Sequence, residues 1–430
     1  MIAVALVLML GVPGPSNPSL CRPRAPDCPT PGQEEVWQRV VRPYLATPLW
    51  TAGAAYDAGH FLMMPLHAAF FLTDSEWQAD FAAQFASYAA RGDEPPVAMA
   101  DRLGRAHYLY LASEFLVEAA RYGRPGLIPS GLESSVLAEL DYTWNREEQS
   151  EQGHRIAGGL SAAIRWKLND TVRGPRFLRI IDDRDRMTFA AAADLVTYRK
   201  LMHENSGPRW LTEIVDAGWA VYKARVEWQS DGGWLFQAGW WDGYQDFTYA
   251  GTTDVNATAP KARAHQTEDA SHAFRWACWL RSLAAASEGN SERKLFYDRM
   301  LTGLGTQFFG RVLIPPGDTF PAFRTNNYMD GTNGLYRWTA TGAGAQGKGP
   351  YGLSGSLTLG WWGFLGTARS QQLYQGLARQ FPLAEDVMML YNRRRTASPG
   401  GGPVSNWAGN GFQQLLVELA ACYPVGGELH

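Results

Sequence analysis

The sequence predicts an all-α protein of consecutive antiparallel helix pairs, arranged as an (α/α) toroid, incomplete or six-paired, with long rim loops. Apolar residues recur at helical spacing through a dozen or more segments separated by short breaks. Alternating runs that would form strands are confined to residues 177–181 and 311–314, too few for a parallel sheet. No fixed-period repeat of the kind open solenoids carry is visible, which favours a ring of pairs over a linear stack.

Segments 34–46 and 56–71 are amphipathic, and 74–90 is opened by the capping residues Thr73 and Asp74 ahead of Trp77. Pro95 and Pro96 precede a long helix over 98–122, whose stripe is Leu109, Leu111, Phe115, Leu116 and Ala119 and whose stop is Gly123, Pro125 and Gly126. Helical patterns follow at 131–145, 153–168, 188–204, 209–228, 267–286, 291–309, 354–365, 369–381 and 411–423. Two long segments of low helicity, 230–266 and 315–353, interrupt them. Loops of that length in a compact domain are usually functional, and both are expected at one rim of the ring.

At 430 residues the chain exceeds the usual single-core size of roughly 250–300 residues, leaving two domains or one large closed array. One toroidal catalytic domain over 33–430 is expected, behind a leader of 1–32. That leader holds an apolar run, 2–12, of signal-peptide length, which breaks at Pro13 and Pro15 and is too short to span a bilayer. It has no basic residues in front, yet export to the periplasm or medium is expected. The net charge of −3 gives no electrostatic basis for binding nucleic acid. Of four cysteines, Cys21 and Cys28 could close a small loop, while Cys278 and Cys422 fall in helical patterns as buried thiols; their pairing stays open.

With 17 Trp and 18 Tyr, several aromatic residues fall in Gly-rich stretches where core packing does not explain them. The stretch SDGGWLFQAGWWDGYQDFTYAG, 230–251, sets Asp231, Asp242 and Asp246 among Trp234, Trp240, Trp241, Tyr244 and Tyr249. Indole faces suit the C–H faces of a pyranose and carboxylates accept from its hydroxyls, so the mixture suits a sugar groove. An aromatic lid would use the same tryptophans, but the interleaved acids favour a groove. Next, HQTEDASHAFRWACWL, 265–280, reads as a helix capped by Thr267, with His265, Asp269, His272 and Trp276 on one face. Glu268 and Asp269 there would also answer the helix dipole, which is the plainer explanation for them.

A third cluster, FRTNNYMDGTNGLYRW, 323–338, offers Asn326, Asn327, Asp330, Tyr336 and Trp338. Amides near an arginine can hold hydroxyls or a sugar carboxylate, although MDGTNG is also ordinary turn chemistry. Upstream, AAYDAGHF places Tyr56, Asp57 and His60 near a helix start, and His107 opens another helical pattern. Each could point into the ring, but lone histidines of this kind are more often structural.

The pairing of the aromatic loop around Asp231–Gly233 with the helix start EDASHAFR, Glu268–Arg275, resembles the secreted (α/α)-toroid glycoside hydrolases and polysaccharide lyases. The resemblance implies catalytic groups on rim loops and inner-helix starts, a glycan as partner, and no cofactor. Hydrolysis needs two carboxyl groups, here Glu268 or Asp269 with Asp242, Asp231 or Asp330. Elimination acts on a uronate, with Asn326, Asn327 or Arg275 holding the carboxylate and His272, Tyr249 or Tyr336 moving the proton. Rim acids would repel a polyuronate, so hydrolysis is favoured, with elimination and non-catalytic glycan binding as alternatives. The expected catalytic set is Glu268, Asp269, His272, Asp242 and Tyr249. Substrate contacts are expected from Asp231, Trp234, Trp241, Arg275, Asn326, Asn327, Tyr336, Trp338, His60 and His107. A metal on His265, Asp269 and His272 is disfavoured, because two histidines and an acid often share a helix face without one.

Overall fold

The computed structural model describes residues 28–91, 102–151, 154–169, 171–204, 207–287, 289, 291–336, 347–392 and 403–426; residues 1–27 of the expected leader, Pro95, Pro96 and Trp338 lie outside them. The chain is mostly helical. It opens with α1 (Pro31–Val36), which passes through a π-helical turn, Trp37–Val41, into α2 (Arg42–Leu45). The expected helix over 56–71 is broken at Leu62 into α3 (Ala55–Phe61) and α4 (Met63–Phe71). Asp74 caps α5 (Ser75–Ala89), its carboxylate accepting from the N–H groups of Glu76 and Trp77. One face of α5 buries Trp77, Phe81, Phe85 and Tyr88, and Trp37 stacks flat on Trp77 at 3.9 Å.

There follow α6 (Arg102–Arg121), α7 (Leu132–Asp141), an antiparallel hairpin of β1 (Gln149–Glu151) and β2 (His154–Ile156), then α8 (Gly159–Leu168), α9 (Asp183–Leu201) and α10 (Arg209–Arg225). A second hairpin, β3 (Val226–Trp228) with β4 (Trp234–Phe236), pairs Glu227 with Leu235. Beyond it come α11 (Ala270–Ala273), α12 (Trp276–Ala286), α13 (Glu292–Gln307) and the short pair β5 (Leu313–Ile314) and β6 (Arg324–Thr325). The chain ends with α14 (Ala368–Ala378), α15 (Glu385–Tyr391) and α16 (Phe412–Cys422).

Two layers are evident from burial. α6 and α9 are covered on nearly every face, whereas α5, α10 and α14 bury one side only. Among the covered elements, α3 packs on α6, α6 on α9 and α9 on α12. α12 then meets the 3-10 segment Trp361–Leu365, which packs on α16, and α16 returns to α4. The run Ala190–Ala193 keeps α9 slim between its neighbours, and Gly218 on α10 lets the Phe189 ring lie against its backbone. One continuous cluster of buried side chains extends from Trp37 to Tyr423. Among the described residues no helix is long and apolar enough to cross a membrane.

Several expected boundaries move for identifiable reasons. The pattern at 153–168 yields a helix only from Gly159, because Gly158 and Gly159 both have positive φ and the preceding residues form β2. Residues 226–228 leave α10 to pair as β3. The 354–365 pattern winds as two 3-10 segments, Ser354–Leu359 and Trp361–Leu365, joined at Gly360 with φ +87°. Residues 177–181, expected as extended, lie largely in a 3-10 turn, Arg176–Arg179. α15 carries no strong stripe and was not expected.

Cys28 and Cys422 form a disulfide across 394 residues, joining the start of the described chain to α16, while Cys278 is a buried free thiol. A cross-link over so long a loop restricts the unfolded chain by up to about 5 kcal/mol. Reduction, or Cys422→Ala, is therefore expected to lower the melting temperature markedly without changing helical content, as followed by circular dichroism. Gly59 on α3 lies directly against the backbone carbonyl of His107 on α6. Gly59→Ala should force the two helices apart and destabilise the protein by about 1–3 kcal/mol in denaturant titrations.

Candidate functional site

The N-terminal portions of α3, α6, α9 and α11 bring a set of polar side chains together. At its centre Arg186 of α9 is 2% exposed, lying near Trp276 and Trp279 at 4.9 and 5.0 Å. Its Nη1 donates to Glu268 Oε1 at 2.5 Å, and its Nη2 lies 3.0 Å from Asp183 Oδ1. Trp276 Nε1 donates to the other oxygen of Glu268 at 2.9 Å. Asp183 also takes an ion pair from Arg275, whose Nη2 reaches Tyr56 Oη at 3.0 Å and His60 Nδ1 at 3.2 Å. The Tyr56 ring packs 4.3 Å from that of His107.

Glu268 and Asp269 were expected one residue apart in a first helical turn, and the structure gives them different tasks. Burial raises the Glu268 carboxyl, against the pull of Arg186, and both its oxygens are engaged inside the protein. Asp269, rather than Thr267, is the N-cap of α11: it accepts from the Ser271 N–H and hydroxyl. It also binds His272 Nδ1 at 2.8 Å. Burial works against the Asp269 charge, yet His272 and Ser271 hold it below the ordinary aspartate value. Burial likewise disfavours the charged His272 ring, but Asp269 outweighs it and lifts the imidazole to about 9. With its Nδ1 fixed by a carboxylate and the side chain 38% exposed, His272 has an oriented ring that is open to solvent.

Beside this dyad stands an aromatic group of Trp241, Tyr244, Phe247, Tyr328 and Tyr336, with Trp241, Tyr244 and Tyr336 half-buried. It is tied to the dyad by a backbone bridge between Tyr328 and Asp269. Tyr249 is half-buried in the same loop. Thus Glu268, Asp269, His272, Arg275, His60 and His107 come together as one cluster, with Trp241 and Tyr336 in the adjacent wall.

Other expected site residues serve the scaffold. Asp242 accepts from the backbone N–H groups of His265 and Gln266, fixing the loop that leads to α11. His265 precedes the helix and pairs with Glu227, so the expected face through His265, Asp269 and His272 does not form. Asp231 accepts from the Gly233 N–H in the β3–β4 turn and pairs with Arg311. Trp234 is 3% exposed, donates to the Met300 carbonyl and packs edge-on to Trp276, which makes it a core residue. Asn327 is fully buried: its amide donates to the Gly334 and Gly349 carbonyls and accepts from the Leu353 N–H. Asn326 donates to the Arg311 carbonyl.

Asp183 and Arg186 were not among the expected site residues. Asp182 and Asp185 form a reciprocal capping box, and Asp185 pairs with the buried Lys167. Asp57 was noticed but not chosen. It is 8% exposed and, among the described residues, its carboxylate has no hydrogen bond or ion pair.

Comparisons with protein-family models, with curated proteins and with solved structures found no match to this chain.

Removing Arg186 would leave the buried Glu268 without its counter-charge and Asp183 with Arg275 alone. Arg186→Met is expected to cost about 3–5 kcal/mol in chemical denaturation. For the dyad, the raised His272 value means its stabilising effect is complete below the ordinary histidine value of about 6.5 and is lost as pH rises through about 9. The melting-temperature gap between the wild type and His272→Asn should accordingly close over that interval; a gap that widens with pH would contradict the pairing.

Proposed function

We propose that the protein is an extracytoplasmic carbohydrate-active enzyme with an (α/α)-toroid domain, and that its proton transfers run through His272 and Tyr56. The circuit of helix contacts from α3 round to α16 and back to α4 supports the toroid, and the disulfide between the two ends supports an oxidising compartment. The observation that carries the functional proposal is the His272–Asp269 dyad, oriented from below and open above, beside a wall of half-buried aromatic rings.

Between the two chemistries, this arrangement favours β-elimination over hydrolysis by a carboxylate pair. Glu268 and Asp269, the acids expected to form that pair, have their oxygens committed to Arg186, Trp276, Ser271 and His272. His272 held protonated to about 9 supplies a positive group for a uronate carboxylate at neutral pH, where the increased acidity of the adjacent C–H matters most. Tyr56, half-buried and with its hydroxyl bonded by Arg275, is the neighbouring group able to relay the proton. The Tyr56 oxygen takes the proton from the carbon next to the carboxylate as its own hydroxyl proton passes to the glycosidic oxygen, which departs with its bonding pair while a C=C bond forms. Hydrolysis remains a second reading because of Asp57, a buried carboxylate left unengaged at the same helix end.

The test is incubation with neutral and uronate-containing polysaccharides, following reducing ends and the ultraviolet absorbance of an unsaturated sugar. Both signals should appear on a uronate substrate, and His272→Asn should lower kcat about 10²–10⁴-fold while binding persists. Reducing ends without the chromophore, abolished by Asp57→Asn, would establish hydrolysis instead. Binding without turnover on every substrate would reduce the protein to a glycan binder.

A further inference from the structure

Deep in the core, away from the His272 dyad, His67 of α4, Glu114 of α6 and Cys278 of α12 present one donor atom each within 4.8 Å of one another. His67 is 4% exposed, yet neither ring nitrogen makes a hydrogen bond. Its Nε2 stands 3.4 Å from Glu114 Oε2 and its Nδ1 3.6 Å from Glu118 Oε2. A charged imidazolium clamped between carboxylates should close to about 2.7–2.9 Å. The longer 3.4 Å between Nε2 and Glu114 Oε2 is that of two donors around a shared centre. With Zn–N and Zn–O near 2.0–2.1 Å and Zn–S near 2.3 Å, adjacent ligands of a tetrahedral zinc ion are roughly 3.3–3.6 Å apart. The Cys278 thiol donates to the other oxygen, Glu114 Oε1, at 3.5 Å, which sets the sulfur beside the same carboxylate.

The geometry points to a structural zinc site formed by His67, Glu114 and Cys278, tying α4, α6 and α12 together. Its surroundings have the features of an outer ligand shell. Tyr110 Oη and Ser282 Oγ both donate to Glu114 Oε1, at 2.8 and 3.0 Å, leaving Oε2 turned toward His67. Glu118 faces Nδ1 at 3.6 Å, on the side of the ring where an outer carboxylate stands behind a metal-bound imidazole. Charge also balances: a divalent ion is neutralised by the Glu114 carboxylate and the Cys278 thiolate, and Glu118 by its ion pair with Arg121. A set of one imidazole, one thiolate and one carboxylate selects zinc or cobalt over calcium or magnesium. Binding releases the thiol proton, and the second ring proton of His67 where the imidazole is charged, to solvent and involves no redox step.

Because the site is enclosed, the experiment loads it during folding. The full chain, free of any affinity tag and with its disulfide intact, is refolded from denaturant with cobalt(II) or zinc(II), dialysed, and assayed for metal and for the thiolate-to-cobalt absorption band. About one equivalent of metal and the thiolate band are expected in the wild type, with a higher melting temperature than after refolding with a chelator. Both should be lost in Cys278→Ser. The wild-type measurement decides the matter even if that variant misfolds: refolded protein with native circular dichroism and no thiolate band overturns the proposal. A band that survives in Cys278→Ser overturns it equally, since the sulfur would then belong to another cysteine.

Discussion

The arrangement of the inner helices depends on one buried arginine. Arg186 is enclosed by aromatic rings and has two carboxylates, Glu268 and Asp183, as its counter-charges. Taking such groups out of water costs several kcal/mol each, and only close pairing offsets that. Asp183 is shared with Arg275, which in turn bonds Tyr56 and His60, so one chain of charge-assisted bonds fixes the starts of α3, α9 and α11 against one another. Displacing any of these helix starts would leave a buried ion without its partner. That makes the relative positions of Tyr56, Asp269 and His272 a consequence of electrostatics more than of loop conformation.

This lattice also explains why two adjacent carboxylates have different partners. Glu268 points inward and is consumed by Arg186 and Trp276; Asp269 ends the loop and turns its carboxylate to Ser271 and His272. The capping role of Asp269 and its orienting role are the same geometry, since an N-cap carboxylate faces the first turn, where a residue three positions on can reach it. His272 is thereby held by a group whose own position is fixed by the backbone of α11. The aromatic wall approaches from a different part of the chain, joined through the Asp269–Tyr328 bridge, so rings and dyad share a common support.

Much of the helical content was legible from periodicity because the outer helices are amphipathic: Trp77, Phe81, Phe85 and Tyr88 mark α5 unmistakably. The boundaries around the site were not. The 267–286 pattern places Thr267 as cap and His265 on the helix face, but the loop held by Asp242 delays the helix until Ala270. For the candidate site, residue type singled out the Glu268–Arg275 stretch, which packing gathers with His60 and His107 into one cluster, yet could not tell an engaged carboxylate from an accessible one. Trp234 and Asn327 illustrate the same limit, since a tryptophan or an amide in a Gly-rich loop has the same sequence signature whether it faces a ligand or the core. Asp183 and Arg186 were not placed in the site because Arg275 and Glu268, which tie them to it, are far away in sequence and come near only through packing. The pairing of Cys28 with Cys422, at opposite ends of the chain, was beyond reach for that reason as well.

The most direct test of the central proposal, that the open face of His272 is where substrate meets the protein, is a crystal structure of the His272→Asn variant with a bound oligouronide. A sugar ring packed against Trp241 or Tyr336, with its glycosidic bond above residue 272 and Tyr56 within hydrogen-bond reach, is the expected result. An oligosaccharide bound elsewhere on the surface, with the cluster at the helix starts untouched, would contradict it and leave that cluster a purely structural device.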